Sequence, residues 1–360
     1  MSQIQKISST QALILWNNFT TELLSIIPFS FNPSLFFFFE KHFGWKPYYL
    51  ILTKNNKPCG ILPLVNTGKV WASLPHFSYG GLLLKENYNK EITSDIIVKL
   101  IQKISTNKLN PGFYNCNINN KLSNNNNSIK TFIRTLESNN DNEYKVTNKV
   151  TSIIKLPRNN DALTKMLNSN LKRKISKAKR SEIVIRSGGL ELLDDFYRIY
   201  SRNIFKLGSL NYGKKFIIDL FSTYEYGIIK IFVAYLNNLP IGSSLLAGYG
   251  GFYENMFFAT APESRKLYVS DLLHHEMINY SIENNNPSKN KTNGVYSFGR
   301  STQGSGVHKY KGHWPIVDYP IFTYSNISDI KNQNWMLNVW GKLPYTISSP
   351  LGAKLIKHIY

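Results

Sequence analysis

Residues 48–65 read YYLILTKNNKPCGILPLV, and residues 228–249 read IIKIFVAYLNNLPIGSSLLAGY. Each is an apolar run, a turn of the form N-N-x-P-x-G, and a second apolar run. Asparagine tolerates the left-handed backbone that a two-residue hairpin turn requires, so both stretches are expected to be antiparallel hairpins. The segments downstream of the two hairpins also recur. After the first come KVWASLP, a helical stretch EITSDIIVKLIQKIS at 91–105 and a strand FYNCNI at 113–118. After the second come FYENMFFAT, a helical stretch LYVSDLLHHEMINYSI at 267–282 and a strand GVYSFG at 294–299. Order and spacing repeat at an offset of about 180 residues, which points to one fold used twice. Each copy reads as α/β (α+β): a mixed, mostly antiparallel sheet flanked by helices.

A chain of 360 residues exceeds one ordinary core and fits two domains. The boundary is expected at 145–155, behind the asparagine-rich stretch SNNDNEYKV, which gives domains at 1–150 and 151–325 and a tail segment at 326–360. Asparagine runs at 119–130, 138–143 and 283–294 read as surface loops. Lys and Arg number 43 against 22 Asp and Glu, for a formal charge of +21. Such a surface suits polyanions, namely nucleic acid, anionic lipid or a phosphorylated carrier, and equally a solvated basic coat. Cys59 and Cys116 each sit in an apolar run, which argues against a disulfide framework and a cysteine zinc site. The first residues lack the basic region and cleavage site of a signal peptide, and SLFFFFEKHF holds five consecutive apolar residues where a membrane span needs about 20. The expected location is cytoplasmic; the basic, amphipathic tail LGAKLIKHIY reads first as a packed terminal segment and otherwise as a contact with the inner face of the membrane.

The second half opens with DALTKMLNSNLKRKISKAKR at 161–180. Leu163, Met166, Leu167, Leu171, Ile175 and Ala178 follow helical spacing and are expected to form one apolar face. Arg173, Lys177 and Arg180 make a basic stripe on the remainder, which reads either as a binding face for an anion or as a solvated surface. No GxSxG elbow, Cys–His pair or HExxH helix is present, so a covalent nucleophile is not indicated. His274-His275-Glu276 does not read as a metal site, because neighbouring helical positions point in different directions. The most glycine-rich stretch, YSFGRSTQGSGVHKYKGHW at 296–314, follows an apolar strand and ends with Lys311 and a tryptophan. Arg300 is expected where central strands part, and Gly304-Ser305-Gly306 lets the backbone turn close to a ligand. A plain hairpin, with Arg300 in a structural ion pair, is the alternative.

Four stretches together resemble the Fem-like branch of the GNAT acyltransferase superfamily, the peptidoglycan-bridge aminoacyltransferase relatives. They are HFGWKPYYL…GILPLV…SLPHFSYGG (42–81), LKRKISKAKRSEIVI (171–185), FGRSTQGSGVHKYKGHW (298–314) and VWGKLPYTISSPLGAKLIKHIY (339–360). The similarity is greatest to the versions that accompany exopolysaccharide and exosortase systems. One departure is Pro315, where the family usually has glycine. The resemblance implies tandem GNAT-like domains that join an activated acyl group to an amine in one ternary complex, with no metal and no bound cofactor. The co-substrate is acyl-CoA or aminoacyl-tRNA, and the acceptor is an amine-bearing glycan or lipid-linked intermediate. GNAT domains that use acetyl-CoA carry a glycine-rich loop before the helix of the second half; ATAPESRKLYVSDLL at 259–273 has no glycine, which favours tRNA, though Arg265 and Lys266 remain available to phosphate.

The resemblance also implies site residues. Lys311, of the pair Tyr310-Lys311, stabilises the donor's carbonyl oxygen, with Arg300, Ser301, Gly304 and Gly306 beside it. Glu254 occupies the strand where some GNAT enzymes hold a general base. His76 and Tyr79, beside Gly80-Gly81, offer an acceptor pocket, or else a strand-end turn with a packed aromatic. Asn211 and Tyr212 match a segment near the acceptor cleft, or else a loop before a helix. The competing reading of the whole chain is a catalytically silent scaffold that binds RNA or an anionic carrier through the basic helix.

Overall fold

The structure is a computed structural model, and it describes residues 4–23, 27–85, 88, 94–118, 130–135, 145–285, 294–326 and 344–356. The runs at 119–129 and 138–143, most of the one at 283–294, and the tail at 327–343 and 357–360 lie outside the described residues. The chain divides into two compact units, Met1–Val150 with Tyr319–Ser328, and Thr151–Asp318 with Asp329–Ile359. The chain leaves the first unit inside one strand and returns to it inside another. Residues 319–325, expected in the second domain, therefore join the first unit, and the described tail residues 344–356 belong to the second.

The first unit holds β1 (Ile4–Ile7), β2 (Lys46–Lys54), β3 (Lys57–Asn66), the two-residue strands β4 (Trp71–Ala72) and β5 (Leu83–Leu84), β6 (Gly112–Asn117), β7 (Thr131–Thr135) and the start of β8 (Lys145–Lys155). Its helices are α1 (Ser9–Glu22), the single turn α2 (Leu35–Phe38) and α3 (Ser94–Thr106). The sheet order is β1-β6-β2-β3-β4-β7, with β5 on β3. Alternation along β2 divides the core. Tyr48, Leu50 and Leu52 pack with Leu100, Ile101 and Ile104 of α3, while Tyr49, on the opposite face, stacks on Trp16 of α1 at 5.2 Å. Cys59 and Cys116 are buried and unbridged.

The second unit holds α4 (Asn160–Met166), α5 (Ser169–Arg180), β9 (Val184–Gly188), α6 (Leu193–Lys206), α7 (Lys214–Thr223), β10 (Ile228–Leu236), β11 (Leu239–Tyr249), β12 (Phe252–Thr260), α8 (Val269–Asn284), β13 (Val295–Thr302) and α9 (Gly306–Lys311). It ends with the first residues of β14 (Val317–Ser325), and α10 (Tyr345–Leu355) comes after them. The sheet runs β13-β12-β11-β10-β9. Phe258 stacks on His274 of α8 at 4.3 Å, whereas its neighbour Phe257 meets Tyr200 of α6 at 5.0 Å, so helices cover both faces. The helix expected across 161–180 is two helices. Asn168 lies in extended conformation, and its side chain accepts the Leu171 N–H, so α5 starts afresh there. Met166 falls at the end of α4 and is 42% exposed, not part of the apolar face; Leu163, Leu167, Leu171, Ile175 and Ala178 are buried together.

The two hairpins share fine detail. Asn55 and Asn56 have φ of 50° and 60°, as do Asn237 and Asn238, the left-handed pair that a tight hairpin turn uses. Both ladders slip by one residue at the same point, between Leu52 and Thr53 and between Ala234 and Tyr235. The glycine beyond the turn allows close packing in each: a Cβ on Gly242 would fall 2.8 Å from Val269 Cγ1 of α8, and one on Gly60 would fall 2.5 Å from Leu84 Cδ2. The strand after the helix differs. β6 runs parallel to β2, whereas β13 runs parallel to β12.

Candidate active site

β12 and β13 pair over only three positions, ending at Glu254 opposite Ser297. Both strands continue, to Thr260 and Thr302, without further pairing to each other, so they part. Charged and polar groups gather at this point. Glu254 is 2% exposed. Its Oε2 accepts from Ser297 Oγ at 3.1 Å, and that hydroxyl accepts the Gly299 N–H at 3.1 Å and lies 3.2 Å from Thr151 Oγ1. Gly299 has φ of 71°, and a Cβ there would stand 3.1 Å from the Asn255 carbonyl oxygen. Ser301 Oγ and Asn255 Oδ1 are buried and have no partner among the described residues. Buried polar atoms left unpaired are costly in a closed core, and here they flank the parting strands.

Lys311 enters from α9 and is 4% exposed. Its Nζ donates to the Gly299 carbonyl at 2.6 Å. An ammonium has three donors, so two remain for other acceptors. Burial pushes Lys311 down from 10.5 to about 8, opposed by the charges of Glu254 and Asp318 and reinforced by Arg300. Arg300 itself is exposed. Gly304 has φ of 76° and sits in an exposed turn, while Gly306 is the first residue of α9. The segment is thus a turn into a helix and not a hairpin.

Behind Lys311 lies an aromatic block. His274, 3% exposed, is held 2.8 Å from the Tyr296 hydroxyl by Nδ1 and is surrounded by Phe258, Phe298, Tyr310 and Trp314. Desolvation, followed by the Lys311 charge, holds its imidazole well below the usual histidine range, so it is neutral. The Tyr310 hydroxyl is buried beside Asp271 and Trp314, and burial raises it well above the usual phenol value. Burial likewise raises the Asp271 carboxyl. His275 contacts Glu276 at 3.1 Å, and among the described residues no group of histidine, cysteine and carboxylate side chains could hold a metal ion.

The remaining sequence-predicted residues fall in three places. In the first unit, the stretch 73–81 is a turn in which Leu74 and His76 both have positive φ, 46° and 72°, a backbone that costs a branched or bulky residue about 1 kcal/mol or more. The half-buried His76 ring stacks on Phe43 at 4.9 Å and on Trp45 at 5.4 Å. Tyr79 is fully buried, and its carbonyl accepts from Ser30 Oγ at 2.7 Å. Asn211 lies in the second unit. It is 3% exposed, and its amide is committed to Tyr197 at 2.9 Å and Ser349 at 3.4 Å, which ties the 211–213 loop to α10. Tyr212 is half-buried against Phe216 and Phe257.

The basic residues form the third group. Arg173, Lys177 and Arg180 are exposed on α5, and Arg265 and Lys266 are exposed on the turn before α8. Tyr268 joins the two sets, since Lys177 Nζ lies 5.3 Å and Lys174 Nζ 5.9 Å from its ring centre. Tyr268 caps α8 with φ of 57°. The left-handed geometry that glycine would relax is therefore kept with a tyrosine in its place. A separate cleft of about 420 Å³ between α6 and the β10–β11 tip, lined in part by Arg198, Arg202 and Lys206, contains none of the sequence-predicted residues.

Two functional candidates escaped the sequence reading. His308 and Asp318 lie 2.7 Å apart, and Ser152 donates to Asp318 at 2.7 Å. Ser305 followed three residues later by His308 has the spacing of a capping box, the one signal that pointed there.

The family described as Acetyltransferase (GNAT) domain matches residues 166–311, a span that runs from the end of α4 to Lys311. No curated protein matches this sequence. Solved structures match over most of the chain. FemX aligns with a TM-score of 0.57 at 12% identity, covering 94% of this chain and 100% of that one. L-PGS from Bacillus licheniformis aligns with a TM-score of 0.53 at 9% identity, covering 94% and 99%. A tandem GNAT protein from the clavulanic acid biosynthesis pathway aligns with a TM-score of 0.52 at 6% identity, covering 90% and 98%. At such identities the likeness is one of fold. The chain has a tandem GNAT fold, and residues 166–311 of its second unit match the GNAT acetyltransferase family.

Proposed function

We propose that the protein is a GNAT-type N-acyltransferase or aminoacyltransferase of the Fem-like branch, acting in cell-envelope or exopolysaccharide biosynthesis. The observation that carries the reading is the buried Lys311 ammonium, held at the point where β12 and β13 part and facing the Glu254 carboxylate's field. In the reaction the acceptor amine attacks the donor's carbonyl carbon. A C–N bond forms, negative charge collects on the carbonyl oxygen, and the bond to the leaving ester oxygen or thioester sulfur breaks. Lys311 stabilises that oxyanion with a donor not used on Gly299, Glu254 takes the proton lost by the amine, and the leaving group is protonated in turn. Arg300 adds positive charge at the same place. Ser301 Oγ, Tyr310 and the turn at Gly304 and Gly306 border the donor, while Tyr212 serves the acceptor.

Aminoacyl-tRNA is the donor we favour over acyl-CoA. Tyr268 occupies the cap of α8 with a bulky ring, which keeps a pyrophosphate from the bare backbone, and Arg173, Lys177, Arg180, Arg265 and Lys266 offer side-chain contacts to a polyanion on either side of it. The acceptor is an amine-bearing glycan or lipid-linked saccharide. Among the described residues no helix is long and apolar enough to cross a membrane, and the proposed location is the cytoplasm or the inner membrane face.

The test supplies the full chain with aminoacyl-tRNAs or acyl-CoAs together with amino-sugar acceptors, and monitors loss of donor and appearance of amide. Amide formed from aminoacyl-tRNA supports the reading. Amide formed from acyl-CoA alone overturns the donor assignment. RNA retained at low salt and released at high salt, with no donor consumed, favours the silent scaffold.

A further inference from the structure

α9 has six residues, too few to stand in water by itself, since an isolated helix below about 12–15 residues is marginal. Yet it carries Lys311, whose placement matters to a fraction of an ångström if it meets an oxyanion. Something must hold its N-terminal end. Ser305 caps it, accepting the His308 N–H at 3.3 Å. The His308 ring then reaches in two directions. Its Nδ1 accepts the Gly304 N–H at 3.0 Å, and its Nε2 lies 2.7 Å from Asp318 Oδ2. The other Asp318 oxygen accepts from Ser152 Oγ on β8 at 2.7 Å. A backbone N–H can only donate, so Nδ1 must hold a lone pair and the ring proton must sit on Nε2, directed at the carboxylate. Both ring nitrogens are thereby engaged, and His308 is not placed to act as a base.

We infer that Ser152, Asp318 and His308 form a positioning relay that fixes the Gly304 turn and the start of α9, and so sets Lys311 on the Gly299 carbonyl. The inference rests on the acyl-transfer reading for its purpose, but its geometry can be tested without turnover. His308 is a positioning residue and touches no reacting atom. Lys311 lies one turn further along the same short helix, and a loosened N-terminal turn leaves its ammonium free to swing toward water.

The test uses the full chain, wild type and with His308→Ala or His308→Asn. Asparagine keeps an oxygen near the position of Nδ1 for Gly304 and gives up the Asp318 contact. Nitrogen-15 spectra of the wild-type imidazole should show the Nε2–H tautomer at neutral pH, a measurement that needs no substitution. In His308→Ala the Gly304 amide should exchange about tenfold faster or more, while amides of β11 keep their wild-type rates. In the same variant the titration of labelled Lys311 should move up toward that of a free lysine, as its ammonium reaches water. His308→Asn should restore protection of the Gly304 amide only in part, because the Asp318 anchor is lost, and full restoration would remove Asp318 and Ser152 from the relay. A proton on Nδ1 at neutral pH overturns the relay, as does His308→Ala with unchanged Gly304 exchange and Lys311 titration. If both change while transfer activity does not, the relay stands and the assignment of Lys311 to the reaction falls.

Discussion

Replacing Lys311 by methionine separates catalysis from stability. Methionine roughly preserves volume and removes the charge. The wild-type ammonium titrates at about 8 in the fold against 10.5 when free, so keeping it charged at neutral pH costs the folded state about 3 kcal/mol. Between pH 8 and 10.5 the unfolded chain binds more protons at this position than the native one, so wild-type stability rises with pH across that window. Below pH 8 the cost is present in full. The variant escapes it but loses a charge-assisted hydrogen bond to Gly299, which is about 1.5–3 kcal/mol in the other direction. Urea denaturation at pH 7 should therefore place the two proteins within about 1–2 kcal/mol of one another, and at pH 10.5 wild type should have gained about 3 kcal/mol relative to the variant. Turnover behaves differently. Loss of one oxyanion donor should lower kcat by about 10²–10³ at pH 7, and the wild-type decline above pH 8, where the ammonium deprotonates, should vanish from the variant's profile. Retained turnover, or a stability gap that ignores pH between 7 and 10.5, would refute the placement of a functional cation in this buried position.

Three further outcomes are expected. Glu254→Gln removes the largest of the opposing charges that keep Lys311 protonated, so the alkaline limb of the pH–activity profile should move below pH 8 and kcat should fall, as read from initial rates. His274→Phe should make the protein less sensitive to acid: burial holds the wild-type imidazole well below the usual histidine range while the unfolded one protonates near 6.5, so wild type should lose stability as pH falls below 6.5 and the variant should lose less. Reversing Arg173, Lys177 and Arg180 to glutamate on the exposed face of α5 should leave the melting temperature within a few degrees of wild type while reducing the salt slope of tRNA binding by about three contacts, measured by filter retention from low to moderate salt.

Much of the fold was legible because its hairpins are written locally. The N-N-x-P-x-G turn specified two left-handed asparagines and a glycine that admits a neighbour, and all of these recur in both units. The break between α4 and α5 was less legible. Asn168 caps the second helix, but the apolar spacing of Leu163, Leu167 and Leu171 continues across it as though one helix were present. Of the candidate site, the sequence shows residue types and not their burial. Lys311 is one of several basic residues in HKYKGHW, and a six-residue helix has too short a period for sequence to mark which of them turns inward. Glu254 raised the converse difficulty, since alternation along a strand assigns a face only when register is known, and the one-residue slip between Leu245 and Leu246 resets it just beyond that point. Asp318 was invisible for a simpler reason, because its partner His308 lies ten residues away across a turn that nothing in the sequence closes.

The divergence between the units bears on where chemistry resides. A parted pair of parallel strands opens a slot at its carboxyl ends where a ligand can meet backbone and inward-facing side chains. β12 and β13 form such a pair, matched over three positions and then separate. In the first unit the strand after the helix lies along β2 instead and stays matched with it over six positions, from Tyr48 opposite Gly112 to Thr53 opposite Asn117. The hairpin's continuation there shrinks to the two residues of β4, after which the chain enters the strained turn that holds His76. The hairpin is shared because its turn, slip and glycine are requirements of the sheet itself. The slot is not shared, so substitution of Ser301 should weaken donor binding while substitutions in the 73–81 turn should not, and a loss of donor binding from His76→Ala alone would contradict the placement of the donor in the second unit.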